Sequence, residues 1–580
     1  MKLSDALVQG FLSLGVRHVF GVSGANIEHL HDAIFRLQSD QLQSVLAKTE
    51  TGAAFMADAQ ARVHGVLGVC CATSGGGMMN LAVGIAESFQ ASVPVLAIVG
   101  QTPTNLDGRG AFQESTGIGR TVDALGMWRA MTKFAARIDD ETHFWALFRD
   151  ALVEALEGRP GPSVLLIPRD LFDREVGEMP EWFPRSVDEL RSTVPVDALG
   201  YHGLVAALRK AKHPALLVGP AAVTNAGVSC LKRFAEATQI PVFTTMEAVS
   251  SFPQDHHLFA GIVGAAGHPS AHAFLNEKAD TIVVVGSDLG AMVRGSIATG
   301  LERAKTILVH AEPSEAARAL PARLVVRGDI EAVFKKLLEA HRTEHFSWRS
   351  SVPELTRFAP MLLDGEPDTA GLLQSEAIDV LDRYLPDGSH VVVDAGNCAA
   401  AALHGMTLSR VSSATIALGM GGMGYSVAGA IGAQLLAAPG ERTIVICGDG
   451  AFLMLGLEVH TAVELGLPIL FVVFNNAAHG MCVTRQDLMF NGRHEATSYD
   501  RVSIATTARG LGPYNRLWVG RASTRADMAR MIAQYEAQSP MTGVLELVLE
   551  REEMPPFAPF LKPDAPKVSV RPPAFAMPAE

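Results

Sequence analysis

The chain reads as an α/β protein made of three doubly wound parallel-sheet domains. Three observations predict this. Short apolar, β-rich runs alternate with helical patterns from end to end, as parallel strands and crossover helices do. The composition is 48% hydrophobic and only 19% charged, which suits sheets covered on both faces. The length of 580 residues suggests about three to four domains of ordinary size.

The first domain is expected over residues 1–178. It opens with an amphipathic helix in "MKLSDALVQGFLSLGV", and its strands are "RHVFGV", "LGVCCAT", "VPVLAIVG" and "SVLLIP". A proline- and acid-bearing linker follows, from about Glu178 to Val196. The central domain, 195–342, has strands at "PALLVG", "PVFTT", "TIVVVG" and "TILVH". A polar connection from about Arg342 to Asp368 leads to the third domain, 368–555, with "HVVVDAG", "ATIAL", "RTIVICGDG", "PILFVVFNN" and "GVLELVL". Residues 551–580 hold eight of the 31 prolines, so 556–580 is read as an extended tail.

Composition also excludes. A net charge of −13 argues against nucleic acid or an anionic membrane as the main partner. No apolar run reaches transmembrane length, and the N-terminus lacks the apolar core of a signal peptide. The six cysteines (Cys70, Cys71, Cys230, Cys398, Cys447 and Cys482) show no CxxC or zinc spacing, as expected of a reduced, cytoplasmic protein.

Three stretches carry candidate chemistry. In "VLAKTETGAAFMADAQAR", Thr49 can cap a helix whose first turn holds Glu50, where an acid suits the helix dipole. In "GMGGMG" (Gly419 to Gly424) the chain matches the dinucleotide-binding pattern G-x-G-x-x-G, with Glu441 about twenty residues on. In a glycine-rich chain, close helix packing explains that match equally well. The third stretch, "GDGAFLMLGLEVHTAVELGLPILFVVFNN", is more specific. One apolar strand delivers Gly448-Asp449-Gly450 to its carboxyl end, and the next delivers Asn475-Asn476. Adjacent parallel strands would bring the Asp449 carboxylate and the Asn476 amide together, and hard oxygen ligands beside a glycine turn suit Mg²⁺ on a diphosphate.

With these motifs the chain resembles the thiamine-diphosphate enzymes of the acetolactate synthase (acetohydroxyacid synthase) type, over essentially residues 1–555. The resemblance implies pyrimidine-binding, central and diphosphate-binding domains. It implies metal ligation by Asp449, Asn476 and the backbone of Ala478. Cofactor contacts would come from Gly396, Asn397, Cys398, Gly448, Gly450, Ala451, His479, Gly480 and Met481, and Met423 would prop the bent cofactor. Glu50 would be the catalytic acid at the aminopyrimidine, with Phe112 and Gln113 of "RGAFQES" as an active-site pair. His479 is also readable as a proton shuttle or as a structural histidine.

The implied reaction joins a 2-oxo acid donor to a carbonyl acceptor after loss of CO₂, in a homodimer or homotetramer with active sites between subunits. The alternatives are a non-oxidative 2-oxo-acid decarboxylase or C–C lyase, and a non-catalytic paralogue. Decarboxylases of the pyruvate type carry paired histidines near Phe112-Gln113, and benzoylformate-type enzymes use a histidine near Thr73; their absence favours carboligation. The chain departs from the family pattern at Thr49 (usually His), Thr51 (usually Gln) and Gly76 (usually Pro). Arg485 stands at the family's herbicide-site tryptophan, and a guanidinium there suits an acceptor with an anionic group. FAD is a possible second cofactor. Arg159 is retained, but Asp288 and Met292 stand where flavin-dependent relatives place two arginines, which counts against it.

Overall fold

The computed structural model describes residues 1–37, 40–191, 193–222, 225–312, 322–348, 351–358, 371–538, 540–549 and 553–557. The expected tail, beyond Phe557, and much of the connection between Arg342 and Asp368 lie outside the described residues. The chain divides into two compact units. The first holds Met1–Ser192, Ala417–Pro439 and Met454–Ile469; the second holds Thr193–Ile416, Gly440–Leu453 and Leu470–Glu580.

The first unit is built on a six-stranded sheet of β1 (His18–Gly21), β2 (Gln43–Leu46), β3 (Gly68–Ala72), β4 (Val95–Gln101), β5 (Phe134–Arg137) and β6 (Ser163–Pro168). The order is β2-β1-β3-β4-β6-β5, parallel throughout. The interior strands β3, β4 and β6 are buried at every residue, as a sheet covered on both faces requires.

The second unit carries two sheets. One holds β7 (Pro214–Val218), β8 (Val242–Thr245), β9 (Phe259–Val263), β10 (Thr281–Val285), β11 (Lys305–His310) and β12 (Leu324–Arg327), in the order β12-β11-β10-β7-β8-β9. Counted within that sheet, this is the 3-2-1-4-5-6 order of dinucleotide-binding folds. The other holds β13 (His390–Val393), β14 (Ser413–Ile416), β15 (Thr443–Gly448), β16 (Ile469–Asn475), β17 (Leu517–Ala522) and β18 (Thr542–Val548). Its order, β14-β13-β15-β16-β18-β17, repeats that of the first sheet.

The expected α/β class, with three parallel sheets, is what forms. Five strands were not foreseen: β2, β5, β9, β12 and β17. All five lie at sheet edges. β2 and β12 are half exposed and so lack the continuous apolar run of a central strand, and β9 is interrupted by Gly261 at φ 115°.

Within the second unit, the loop after β9 meets the helix Asn397–Gly405 through buried histidines. His268 Nδ1 accepts from the Ile262 N–H at 2.9 Å, and its Nε2 donates to the His404 carbonyl at 3.1 Å. His404 Nε2 accepts from the Phe358 N–H at 2.8 Å, and His272 Nε2 accepts from the Gly264 N–H at 3.3 Å. Each ring thus uses a nitrogen lone pair that protonation would remove. Burial lowers all three, His268 to about 3 and His272 to about 4.

Folded values below the ordinary 6.5 mean that the unfolded chain takes protons first as pH falls. Stability is therefore fully present above pH 6.5 and is lost between there and about pH 4. The loss is on the order of 1.4 kcal/mol per pH unit for each histidine. Urea midpoints should hold from pH 7.5 to about 6.5 and fall from there to pH 5, and His272→Gln should flatten that fall. A pH-independent midpoint for the native protein would contradict the neutral-histidine joint.

Candidate active site

In the first unit the candidate residues leave the carboxyl ends of β2, β3 and β4, the edge at which open α/β sheets bind ligands. Glu50 is the first residue of the helix Glu50–His64. Thr49 adopts an extended N-cap conformation, and its hydroxyl accepts from the Gly52 N–H at 2.9 Å, so the expected cap forms. The Glu50 carboxylate is held from the side by Asn80, whose amide donates to Oε2 at 3.0 Å. Thr51 donates to the Asn80 carbonyl at 2.6 Å. Glycine at 77 leaves the carboxylate its place, because a Cβ there would lie 2.8 Å from Glu50 Oε1 and push it aside.

The Phe112-Gln113 pair sits on a loop wrapped around one carboxylate. Glu114 accepts from the N–H groups of Gly108, Gly110 and Ala111 at 2.6, 2.9 and 3.1 Å and from the Thr116 hydroxyl at 2.8 Å. The Thr116 hydroxyl and then the Gly108 N–H hold its carboxyl below the usual range. Gln113 itself has φ 65°, a left-handed conformation rare for a side chain of its size, and packs against Gly75, also at φ 65°. Phe112 is 85% exposed.

The glycine cluster also belongs to this unit, and an anion does occupy it: the side chain of Glu87. That carboxylate accepts from the Gly419 N–H at 3.2 Å and the Met420 N–H at 2.6 Å. Glu87 is buried and bound to Arg62 at 3.3 Å; Arg62 in turn bonds Asp58 at 2.9 Å. Asp58 accepts further bonds from the Ser88 and Tyr425 hydroxyls, both at 2.8 Å. The network fixes the segment that carries Met423, which is half-buried.

In the second unit, β13, β15 and β16 are consecutive neighbours, and their carboxyl ends bring together Asn397, Asp449 and Asn475-Asn476. Asp449 is buried and opens the helix Asp449–Leu455. Its Oδ1 accepts from the Gly450 N–H at 3.0 Å and its Oδ2 from the Ala477 N–H at 2.8 Å. Burial raises its carboxyl to about 6, opposed by the nearby Tyr499 hydroxyl and by these backbone donors.

The two asparagines have different work. Asn475 is fully buried, and its amide donates to Glu546 at 2.6 Å and to the Val502 carbonyl at 2.8 Å. Asn476 turns the other way, with Oδ1 accepting from the Ala478 N–H at 3.2 Å. Gly480 lies against the two amides; a Cβ there would be 2.8 Å from Asn476 Nδ2 and 3.1 Å from Asn397 Nδ2. Asn397 Oδ1 is buried without a hydrogen-bond partner. A site that gathers a high-pKa carboxylate, amide oxygens and an orphaned buried acceptor suits a hard cation and a polar ligand. Among the described residues no group of three His, Cys, Asp or Glu side chains forms a competing metal site.

Most of the remaining candidates lie on the same elements of the second unit. Gly396 precedes the helix Asn397–Gly405, and burial pushes the Cys398 thiol up to about 12, which keeps it neutral. Gly448 ends β15, and Ala451 is buried in the helix that follows. His479 precedes the helix Gly480–Phe490, which carries Met481; its N–H donates to the Thr497 carbonyl at 2.8 Å, and its ring packs edge-on against Tyr499. Arg485 is exposed on that helix, its guanidinium 3.1 Å from the Cys482 sulfur. Arg159, in the first unit, is bonded to the Ser92 hydroxyl at 2.6 Å and the Gln90 carbonyl at 3.2 Å.

Sequence reasoning missed Asn80, Glu87, Glu114, Glu458, Tyr499 and Glu546. Glu114 and Glu458 lie within the stretches "RGAFQES" and "GDGAFLMLGLEVHTAVELGLPILFVVFNN", yet each of the six resembles an ordinary helix, strand or loop residue until its partner is seen.

The comparisons with known proteins bear on the three domains. Residues 1–120 match the N-terminal TPP binding domain of thiamine pyrophosphate enzymes, 202–337 the central domain and 394–544 the C-terminal TPP binding domain. The chain is 30% identical to a probable acetolactate synthase large subunit of Methanocaldococcus jannaschii, over 87% of this chain and 86% of that one. It is 31% identical to the acetolactate synthase large subunit of Corynebacterium glutamicum, over 88% and 82%. With the acetolactate synthase isozyme 2 large subunit of Escherichia coli K12 it shares 29%, over 91% and 92%. Three matched domains, three six-stranded parallel sheets and relatives aligned along most of its length place the chain in the thiamine pyrophosphate enzyme family.

Proposed function

We propose that the chain is a thiamine-diphosphate- and Mg²⁺-dependent carboligase of the acetolactate synthase kind, with a 2-oxo acid, pyruvate foremost, as donor and a second carbonyl compound as acceptor. The observation that carries the reading is the convergence of Asp449, Asn476 and Asn397 at one sheet edge, with a buried carboxyl raised to about 6 and an orphaned amide oxygen beside it. Thiamine diphosphate, when bound, supplies the electron sink that lets a 2-oxo acid lose CO₂ and pass its acyl unit on.

The chain's own residues do the rest. Asp449, Asn476 and the Ala478 carbonyl hold the metal, with Gly480 keeping that side open. Asn397, Gly396 and the neighbouring backbone receive the diphosphate, and Met423 sets the cofactor's bend. Glu50, fixed by Asn80, holds and moves the proton at the aminopyrimidine ring nitrogen. Gln113 orients the donor, Phe112 walls the pocket, and Arg485 receives an anionic group on the acceptor. FAD enters this reading only as a second cofactor without a redox role, since the overall conversion is not a redox change, and Asp288 and Met292 count against it.

We also propose a homodimer or homotetramer with active sites between subunits, in the cytoplasm. Support comes from the apolar side chains that the first unit leaves exposed, Met79, Val83, Phe112, Ile118 and Val122. Among the described residues no helix is long and apolar enough to cross a membrane.

Purified protein given Mg²⁺, thiamine diphosphate, pyruvate and a panel of carbonyl acceptors should yield 2-hydroxy ketone or 2-hydroxy-2-alkyl acid products by mass spectrometry. Aldehyde release without any coupled product would assign a decarboxylase instead. Glu50→Gln should leave a folded protein with activity lowered about 10²-fold or more; full activity would overturn the role of Glu50. Arg485→Ala should raise KM for an anionic acceptor and leave donor decarboxylation unchanged.

Asp449 carries a second prediction, on stability. A folded carboxyl raised from 3.8 to about 6 destabilises the fold above pH 6 and is neutral below pH 4. Asp449→Asn, which removes that charge at the expense of one backbone acceptor, should stabilise the ligand-free protein at pH 7.5 by roughly 1–2 kcal/mol. The native protein should gain melting temperature when Mg²⁺ is added with thiamine diphosphate, and Asp449→Asn should abolish that Mg²⁺-dependent gain. A destabilised ligand-free variant would contradict the burial argument.

A further inference from the structure

Three residues, Ala47 to Thr49, lead from β2 to Glu50, and one short helix grips them. Glu458 opens the helix Glu458–Leu465 and is 1% exposed. Its Oε1 accepts from the Lys48 N–H at 2.9 Å and the Thr49 N–H at 3.0 Å, and its Oε2 accepts from the Thr461 hydroxyl at 3.0 Å. One and two turns further on, Thr461 reaches the Leu46 carbonyl at 3.5 Å, and Glu464 pairs with the Lys48 ammonium at 2.6 Å. The carboxylate presses on the first turn of the Glu50 helix as well. A Cβ at Gly52 would stand 2.2 Å from Glu458 Oε1, so only glycine admits this acid.

These contacts act on the backbone and not on the Glu50 side chain. The two N–H groups captured by Glu458 belong to the residues immediately before Glu50, so they set where the Glu50 helix begins and how its first side chain is directed. Thr49 and Asn80 fix the cap and the carboxylate of Glu50; Glu458 fixes the turn from which both are measured. Other charged residues on this helix lie toward solvent, with Glu464 and His460 paired to each other at its far end.

We propose that Glu458 is a positioning residue for Glu50: its buried carboxylate, by holding the Lys48 and Thr49 N–H groups, places the Glu50 carboxylate for proton transfer. This rests on the reading of Glu50 given above. A displacement of about 1 Å in such a group costs on the order of 10²-fold in rate, so the effect is large enough to measure apart from folding.

The test is the rate of hydrogen–deuterium exchange at the thiazolium C2 of bound thiamine diphosphate, followed by acid quench and NMR in Mg²⁺-loaded protein without substrate. Cofactor affinity and melting temperature are measured on the same samples. Glu458→Ala should slow exchange by at least about tenfold while the cofactor Kd changes by less than about threefold. Glu458→Gln should recover most of the rate, because its amide oxygen still accepts from Lys48 and Thr49 and its NH₂ can donate to Thr461. If Glu458→Ala does not fold, Gly52→Ala displaces the same carboxylate and should produce the same split.

Exchange within twofold of the native rate in whichever variant folds overturns the proposal, as does a Gln variant no better than Ala. Glu50→Gln run alongside separates the two readings. Native exchange in Glu50→Gln means that Glu50 itself was misassigned. Slow exchange in Glu50→Gln with native exchange in Glu458→Ala removes only the role of Glu458.

Discussion

A carboxylate buried among apolar strands has to find donors, and in this protein the donors are the backbone N–H groups of the loops that carry the candidate site. Glu458 takes Lys48 and Thr49, Glu87 takes Gly419 and Met420, and Asp449 takes Gly450 and Ala477. Glu546, fully buried on β18, takes Ala505 and the Asn475 amide. An unsatisfied buried charge costs several kcal/mol, so each of these loops is held in the one conformation that keeps its acid supplied. The loops leave the carboxyl edges of parallel strands, where chain direction changes and N–H groups are not yet used by a helix or a ladder. Loop order and acid burial are thus a single requirement seen from two sides.

The same requirement explains the glycine cluster. Gly419 to Gly424 has the spacing of a dinucleotide-binding turn, and it does bind an anion through backbone N–H groups, but that anion is Glu87 of the same unit. The strand order associated with dinucleotides belongs instead to the central sheet, where no such glycine motif occurs. Pattern and topology have come apart, which is why the glycine spacing taken alone misleads. Arg62 completes the arrangement: two buried acids share one guanidinium, and the Ser88 and Tyr425 hydroxyls and two backbone N–H groups supply further hydrogen bonds.

Legibility in the sequence followed burial. Interior strands such as β4, buried at all of its residues, are visible as apolar runs; edge strands such as β2 and β12 face solvent on one side and show no run to read. The GDG and NN segments were legible because each ends an apolar strand with polar residues that an ordinary turn would not need. Glu50 was legible only as a helix start until those segments supplied a context. Asn80 and Glu458 were not, since what distinguishes them is a partner on another element: Glu458 meets Lys48 across a separation of 410 residues. No local pattern encodes such a pairing. Gly52 carries its trace, and one glycine among 54 says nothing by itself.

Asn475 and Asn476 show how satisfaction of polar groups divides structure from function. Neighbours of identical chemistry, they leave β16 in opposite directions, with Ala477 at φ 57° turning the chain after them. The first amide is consumed by Glu546 and the Val502 carbonyl, and the Arg501 guanidinium holds the Asn475 carbonyl at 2.7 Å and that of Leu549 at 2.9 Å. That residue is a strut. The second stands beside Asn397, whose Oδ1 is buried and unpartnered, and near a carboxyl that two backbone donors fail to bring down to its ordinary range. A fold selected for stability alone would bury neither group in that condition. What the rigid half of the dipeptide secures is therefore the place of the half that stands beside these two groups, and under the function proposed above a bound cation and polar ligand would offset the stability that Asp449 forgoes.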